Sequence, residues 1–162
     1  MERIDKINYY LNIAEAVAER STCLRKKYGT VIVNNDEIIS TGYSGAPRGR
    51  KNCMDLGYCT KKQYLPDTRH GGYDMCRSVH SEQNAIISAA RKDMIGSTLY
   101  LCGYREKGVY EEGASPCLMC RKMIINSGIK EVIVRIDKDK YQRIEVQDWI
   151  DNDELLSGQT TY

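Results

Sequence analysis

Between Asp5 and Arg20 apolar side chains return at three- and four-residue steps, at Ile7, Leu11, Ala14, Val17 and Ala18. That is the helical period, and it predicts a first amphipathic helix. Beyond a short basic loop the pattern turns β-branched, from Gly29 to Val33 and from Glu37 to Thr41, around Asn34-Asn35-Asp36. Two strands joined by a tight turn are expected there. Residues 44–78 have no period, two prolines and many Gly, Arg, Lys, Asp and Cys. So long a stretch inside a compact domain needs something to hold it. Val79 to Lys92 is helical by composition and by its Ala85, Ile86, Ala89, Ala90 stripe, and Ser97 to Cys102 is a short strand. Pro116 to Ser127 is a further helix closed by Gly128, Glu131 to Ile136 a strand apolar on both faces, and Val146 to Leu156 a weak helix. Gly103 to Ser115, with three glycines and mixed charges, reads as an exposed, mobile loop.

The order α-β-β-α-β-α-β contains repeated β-α-β crossovers, which argue for an α/β fold with a mixed sheet covered by helices. At 162 residues the chain fits one domain, residues 1–162. Its 24 basic and 22 acidic residues nearly cancel, so nothing points to long nucleic acid or an acidic membrane as the main partner. The charged start MERIDKINYY does not suit a signal peptide, and no apolar run suits a membrane span, so a cytoplasmic protein is expected. Seven cysteines, an odd count in a reducing compartment, then need a use other than disulfides, and metal binding or catalysis is the first to consider.

Two motifs stand at the starts of the middle helices, His80-Ser81-Glu82 and Pro116-Cys117-Leu118-Met119-Cys120. Cys117 and Cys120, three apart, can aim both sulfurs the same way, and Pro116 suits a first helical position. With His80 they supply three zinc ligands, leaving the fourth tetrahedral position for water, as in a catalytic site. Glu82 is the natural base for that water. Taken singly, C-x-x-C also suits structural zinc or redox chemistry, and a lone histidine suits a helix cap. Together, H-x-E and P-C-x-x-C form the signature of zinc nucleobase deaminases.

At these residues the chain resembles the deoxycytidylate (dCMP) deaminase branch of the cytidine deaminase superfamily. The resemblance runs from about Arg20 to Ile136. It rests on Arg20-Ser21-Thr22-Cys23, Gly42-Tyr43-Ser44-Gly45, Asn52-Cys53, His80 to Ile86, Pro116 to Cys120 and Ser127 to Lys130. It implies a three-layer α/β/α cytidine-deaminase-like fold with a mixed central sheet, and a homo-oligomer, hexamer or dimer. It implies zinc-dependent hydrolysis of dCMP to dUMP and ammonia, which supplies dUMP for dTMP synthesis, with dCTP and dTTP as effectors. Glu82 would move the proton from water to N3 and then to the leaving amino group, while C4 is attacked. The Ser81 backbone N–H and the carbonyl near Ser115 would hold the base edge. Ser44 stands where the family has an asparagine at the sugar, and Gly103 to Ala114 is inserted where family members pass almost directly to the Pro-Cys motif.

Four of the remaining cysteines, Cys23, Cys53, Cys59 and Cys76, flank or lie within the irregular segment, and a second, structural zinc on them would hold it. His70 is a reserve ligand, and free thiols are the alternative. Cys102 reads as a small buried residue ending a strand. A 5′-phosphate calls for a cation, for which Arg25 comes first and Arg48 next, against a merely solvated basic face. Of twelve tyrosines only Tyr43 is assigned to binding. Two other readings stay open: deamination of another small nucleotide, nucleoside or base, such as dCTP or a modified cytosine, and a non-catalytic zinc-stabilised binding module.

Overall fold

The computed structural model describes residues 1–67, 72–111 and 113–152. His70 and the last residues of the predicted C-terminal helix lie outside them. Helix α1 spans Lys6–Ala18, with the Asp5 carboxylate accepting from the Asn8 N–H at 2.9 Å. Strands β1 (Lys27–Asn34) and β2 (Glu37–Tyr43) form the expected hairpin. Its turn residues Asn35 and Asp36 take positive φ, 49° and 64°, the twist a two-residue hairpin favours.

The described part of residues 44–78 holds short pieces, α2 (Cys53–Leu56), α3 (Thr60–Tyr64) and a 3-10 turn at Tyr73–Met75. Gly45 and Val79 exchange backbone hydrogen bonds of 3.2 and 2.8 Å, which close the two ends of this segment on each other. The Thr60 hydroxyl donates to the Met75 carbonyl, and Arg77 to that of Lys51.

The helix expected over Val79 to Lys92 is two helices, α4 (Ser81–Ile87) and α5 (Arg91–Met94). Ser88 donates its hydroxyl to the Asn84 carbonyl, and Ala90 is extended, so the chain breaks there and swings Met94 into the core. Local propensity yields to the need to return to the sheet. Strand β3 (Thr98–Glu106) outruns its predicted end and turns back through Gly108 as β4 (Val109–Tyr110). The expected loop is thus largely a hairpin, with Tyr104 and Ala114 buried. Helix α6 (Leu118–Ser127) takes Cys117 as its N-cap, which puts Pro116 before the helix and not at its first position. After β5 (Glu131–Asp137) comes an unforeseen β6 (Lys140–Glu145), then α7 (Val146–Asp151).

The six strands form one mixed sheet in the order β2-β1-β3-β5-β6, with β4 on β3. Side chains alternate across it. Ile32, Leu99, Leu101, Val132 and Val134 meet Ala85, Met94, Ile124 and Trp149 on one face. On the other, Val31, Val33, Tyr100, Cys102 and Ile133 meet Tyr10, Leu11, Ala14 and Ala18 of α1. The result is the three-layer α/β/α arrangement, helices on both faces of the sheet. Among the described residues only β3 and β5 pair in parallel, joined by the crossover that carries α6.

Registers Gly29 to Tyr43, Gly29 to Cys102 and Leu101 to Val134 bring the C-terminal ends of β2, β3 and β5 to one end of the sheet. Helices α4 and α6 both begin there, the usual place for a ligand crevice in α/β folds. Among the described residues, no helix is long and apolar enough to cross a membrane.

Candidate active site

Two helix N-termini build the site. His80 is the N-cap of α4, and its backbone N–H is satisfied by the Gln83 side-chain oxygen at 2.9 Å. Ser81 and Glu82, in the first turn, are both buried. Helix α4 lies so close to β2 that only glycine fits at position 42, where a Cβ would stand 2.4 Å from Ala85 N and Ser81 O. From α6 come Cys117 at the N-cap and Cys120 in the first turn. Arg121 fastens the approach to this helix, donating from Nε to the Pro116 carbonyl and from Nη2 to the Ser115 hydroxyl, both at 2.9 Å, while its guanidinium lies over Trp149.

Among the described residues, His80, Cys117 and Cys120 are the one group of three whose ligand atoms all lie within 4.8 Å of one another. His80 Nδ1 is 3.5 Å from Cys117 Sγ and 3.4 Å from Cys120 Sγ. Tetrahedral zinc, with Zn–S of about 2.3 Å and Zn–N of about 2.05 Å, requires an N···S edge of about 3.6 Å. The donor set and its spacing fit that ion, and three protein donors leave one position open.

The charges around this triangle are strongly coupled. The hydrogen bond from Cys120, with help from His80, pulls the Cys117 thiol down to about 4 against the opposing effect of burial. The same bond, together with burial and Glu82, pushes the Cys120 thiol up. Burial disfavours the His80 imidazolium, but the Cys117 hydrogen bond and the Glu82 charge outweigh it and raise its pKa. Glu82 is raised mainly by burial, opposed by His80 and by the Ser81 hydroxyl, which donates to its Oε2 at 3.0 Å. The Ser81 proton being committed to Glu82, the Thr30 hydroxyl on β1, 2.8 Å away, donates to Ser81 in turn. A raised carboxyl pKa suits a group that must both take and give a proton near neutrality.

A cavity opens on Glu82. Of the residues singled out from sequence, Ser44, Ser81, Ser115 and Arg25 line it together with His80 and Cys117. Tyr43 and Arg48 do not. Tyr43 is exposed at the end of β2, where its carbonyl accepts from Asn84, and Arg48 is exposed in the turn that Arg50 closes onto Pro47. Cys23, Cys59 and Cys76 line the same cavity. Cys53 is buried near them, and after burial itself their charges are what raise its thiol pKa. Among the described residues, no three of these four sulfurs lie within 4.8 Å of one another. Lys26, Tyr28, Lys61 and Tyr73 also form the walls, and no motif announced them. The Tyr73 ring meets His80 edge-on, 4.7 Å between centroids.

The family model for the cytidine and deoxycytidylate deaminase zinc-binding region matches residues 4–136. The chain belongs to the cytidine and deoxycytidylate deaminase family. It is 37% identical over 137 residues to the deoxycytidylate deaminase of Mycobacterium phage D29, covering 82% of this chain and 96% of that one. It is 32% identical over 126 residues to that of Schizosaccharomyces pombe, covering 78% of this chain but only 35% of the yeast protein. Among solved structures it is similar to the dCMP deaminase of cyanophage S-TIM5 in complex with dCMP and dUMP, with a TM-score of 0.60 and 27% identity over 96% of this chain and 95% of that one. A cytidine deaminase from Burkholderia pseudomallei, 16% identical with a TM-score of 0.58 over 90% and 95% of the two chains, shares the fold.

Zinc is the metal of this deaminase family, and the triangle of donors is where this member can hold it. Ser44, where the resemblance implied an asparagine, is tied into a local hydrogen-bond set. At Ser44 the hydroxyl lies 2.7 Å from Ser21 Oγ and accepts from the Tyr28 N–H at 3.2 Å, while Ser21 donates to the Ser44 carbonyl. With the Ser21 proton on that carbonyl, the Ser44 proton goes to Ser21, and Ser44 turns only an acceptor toward the cavity.

Proposed function

We propose that this chain hydrolyses dCMP to dUMP and ammonia, with zinc on His80, Cys117 and Cys120 and with Glu82 as the proton carrier. The observation that carries this reading is the donor triangle at zinc's tetrahedral spacing beside a buried carboxyl of raised pKa, with His80, Cys117 and Glu82 lining one cavity. The phage relative called a deoxycytidylate deaminase, matched over nearly its whole length, supports the substrate. Zinc on such a set supplies Lewis acidity, which makes water a nucleophile near neutral pH. Glu82 takes the proton of the attacking water as oxygen bonds to C4. It delivers that proton to N3, then takes the remaining proton of the new C4 hydroxyl and passes it to the amino group, so that the C4 carbonyl forms as the C–N bond breaks and ammonia leaves. The Ser81 N–H and the carbonyl at Ser115 hold the base edge, Arg121 fixing the latter segment, and Ser44 faces the sugar.

The finer parts of the reading extend from the same site. Cys23, Cys53, Cys59 and Cys76 hold a second, structural zinc, supported by the gathering of all four in one region. One domain over residues 1–162 is supported by two core clusters sharing a single sheet. A homo-oligomer, dCTP and dTTP as effectors, and a cytoplasmic setting in which all seven cysteines stay free complete the proposal.

The test is ammonia release from dCMP, CMP, dCTP, deoxycytidine, cytosine and adenosine, with Glu82→Gln as the control. Turnover of dCMP that the substitution abolishes, at unchanged zinc content, is the expected result. Turnover of a different member of the panel keeps the chemistry and overturns the substrate, and no turnover at all favours a binding module.

A further inference from the structure

Among the described residues three cations stand in the cavity wall, Arg25, Lys26 and Lys61, and they are not equivalent. Arg25 is exposed at the rim. The Lys26 ammonium is already engaged, 2.7 Å from the carboxylate of Glu111 just after β4, which also holds Arg105 at 2.7 Å. Lys61 is different. It lies on α3 with only 5% of its surface exposed, and no carboxylate among the described residues pairs with it. Its Nζ rests 4.6 Å from the centroid of the Tyr73 ring, itself a wall residue set edge-on against His80. One aromatic ring therefore separates this ammonium from a candidate metal ligand. A lysine is rarely so buried without a partner, because the cost of removing its charge from water goes uncompensated. A tyrosine face offsets part of that cost, and a bound anion would offset the rest.

We propose that Lys61 receives the 5′-phosphate of the substrate and is the residue that makes this cavity prefer a nucleoside monophosphate over the nucleoside. The proposal rests on the deaminase reading of the same cavity. The base must reach Glu82 and the metal donors, so the phosphate lies farther along the same cavity. Lys61 lines that cavity beyond the Tyr73 ring, which itself meets His80, and the Lys26 ammonium is already paired with Glu111. A single buried ammonium, with Arg25 at the rim, suits one phosphoryl group. Lys61 acts as a specificity-determining contact and takes no part in the chemistry at C4.

The test is equilibrium binding of dUMP and of deoxyuridine to zinc-loaded wild type, Lys61→Met and Lys61→Arg, with inorganic phosphate as a competitor of dUMP. Lys61→Met should weaken dUMP roughly tenfold to hundredfold, the loss expected for one charge-assisted hydrogen bond, and leave deoxyuridine within about twofold. Lys61→Arg should keep most of the dUMP affinity, and phosphate should compete with dUMP on wild type but not on Lys61→Met. Equal weakening of both ligands, or loss of zinc from the variant, would make Lys61 a structural residue and overturn the proposal. So would unchanged dUMP binding, or a wild type that binds dUMP no better than deoxyuridine. Should Lys61→Met fail to fold, phosphate competition on wild type and the Arg variant decide. Turnover of dCMP by wild type is followed alongside: dUMP bound through Lys61 without ammonia release keeps the anion site and sinks the deaminase reading, and the converse sinks the site alone.

Discussion

Replacing Gly42 by alanine tests the link between the packing of α4 and the geometry of the site. The added Cβ would stand 2.4 Å from Ala85 N and Ser81 O and 2.9 Å from Asn84 C, where ordinary contact begins at 3.4 Å. All three are backbone atoms of α4 or its first turn, so no side-chain rotation relieves the clash. The helix has to withdraw from β2 by about 1 Å, and such overpacking costs roughly 1–3 kcal/mol. In a domain of this size that lowers Tm by roughly 2–12 °C. Withdrawal carries His80, Ser81 and Glu82 with it, and a misplacement of about 1 Å lowers kcat by on the order of a hundredfold. Thermal unfolding and steady-state kinetics, each in parallel with Gly49→Ala, give the answer. Gly49 has φ of +82° and nothing within 4 Å of its Cβ position, so that variant bears the strain of a left-handed alanine without any clash. Gly42→Ala that loses stability but keeps full activity would show that the sheet yields and not the helix. Unchanged stability and activity would refute the argument altogether.

Three further outcomes are expected. Thr30→Val removes the donor that orients Ser81 toward Glu82, and should cut kcat by about tenfold with zinc content intact, a buried hydroxyl partner being worth about 1 kcal/mol or more; unchanged kcat would show that Ser81 needs no such support. Burial works to raise the Glu111 carboxyl, but Lys26 and Arg105 outweigh it and hold its pKa below the ordinary 4.5. Its folded pKa being depressed, its contribution to stability is complete above the unfolded pKa and fades as pH falls through the folded one. Glu111→Gln should therefore lower Tm at neutral pH and flatten its fall in acid, and an unaltered acid slope would contradict the pairing. Metal analysis should find about two zinc ions per chain, falling to about one in Cys53→Ala; about one in wild type removes the structural zinc.

Much of this was legible because the informative patterns are local. The period of α1, the hairpin at Asn35-Asp36 and the two motifs at helix starts each depend on residues within a turn or two of one another, and the structure places His80, Cys117 and Cys120 side by side. What escaped depends on distant partners. β6 is almost wholly exposed and reads as a polar tail until β5 lies beside it. The break at Ser88–Ala90 answers to the position of β3, against a run of good helix formers. The β3–β4 hairpin is held by Lys26 and Arg105 through Glu111, a pairing with no signature in the chain. Lys61 and Tyr73 reach the cavity only because residues 44–78 double back on themselves, and a segment without a period gives no means of foreseeing which of its side chains end inside.

Strand β3 lies between β1 and β5, and the two halves of the donor triangle lie on either side of it in the chain, 37 residues apart from His80 to Cys117. A full-length chain that is refolding therefore has Cys117 and Cys120 near each other from the start, and His80 joins them only once β3 has docked and α6 has crossed back over the sheet. Tight metal affinity belongs to the finished topology alone and stabilises it by mass action over every incomplete one. A contact formed that late lies beyond the folding barrier, so metal should slow unfolding without hastening folding. The ion would act as a latch on the completed fold and not as a nucleus for it.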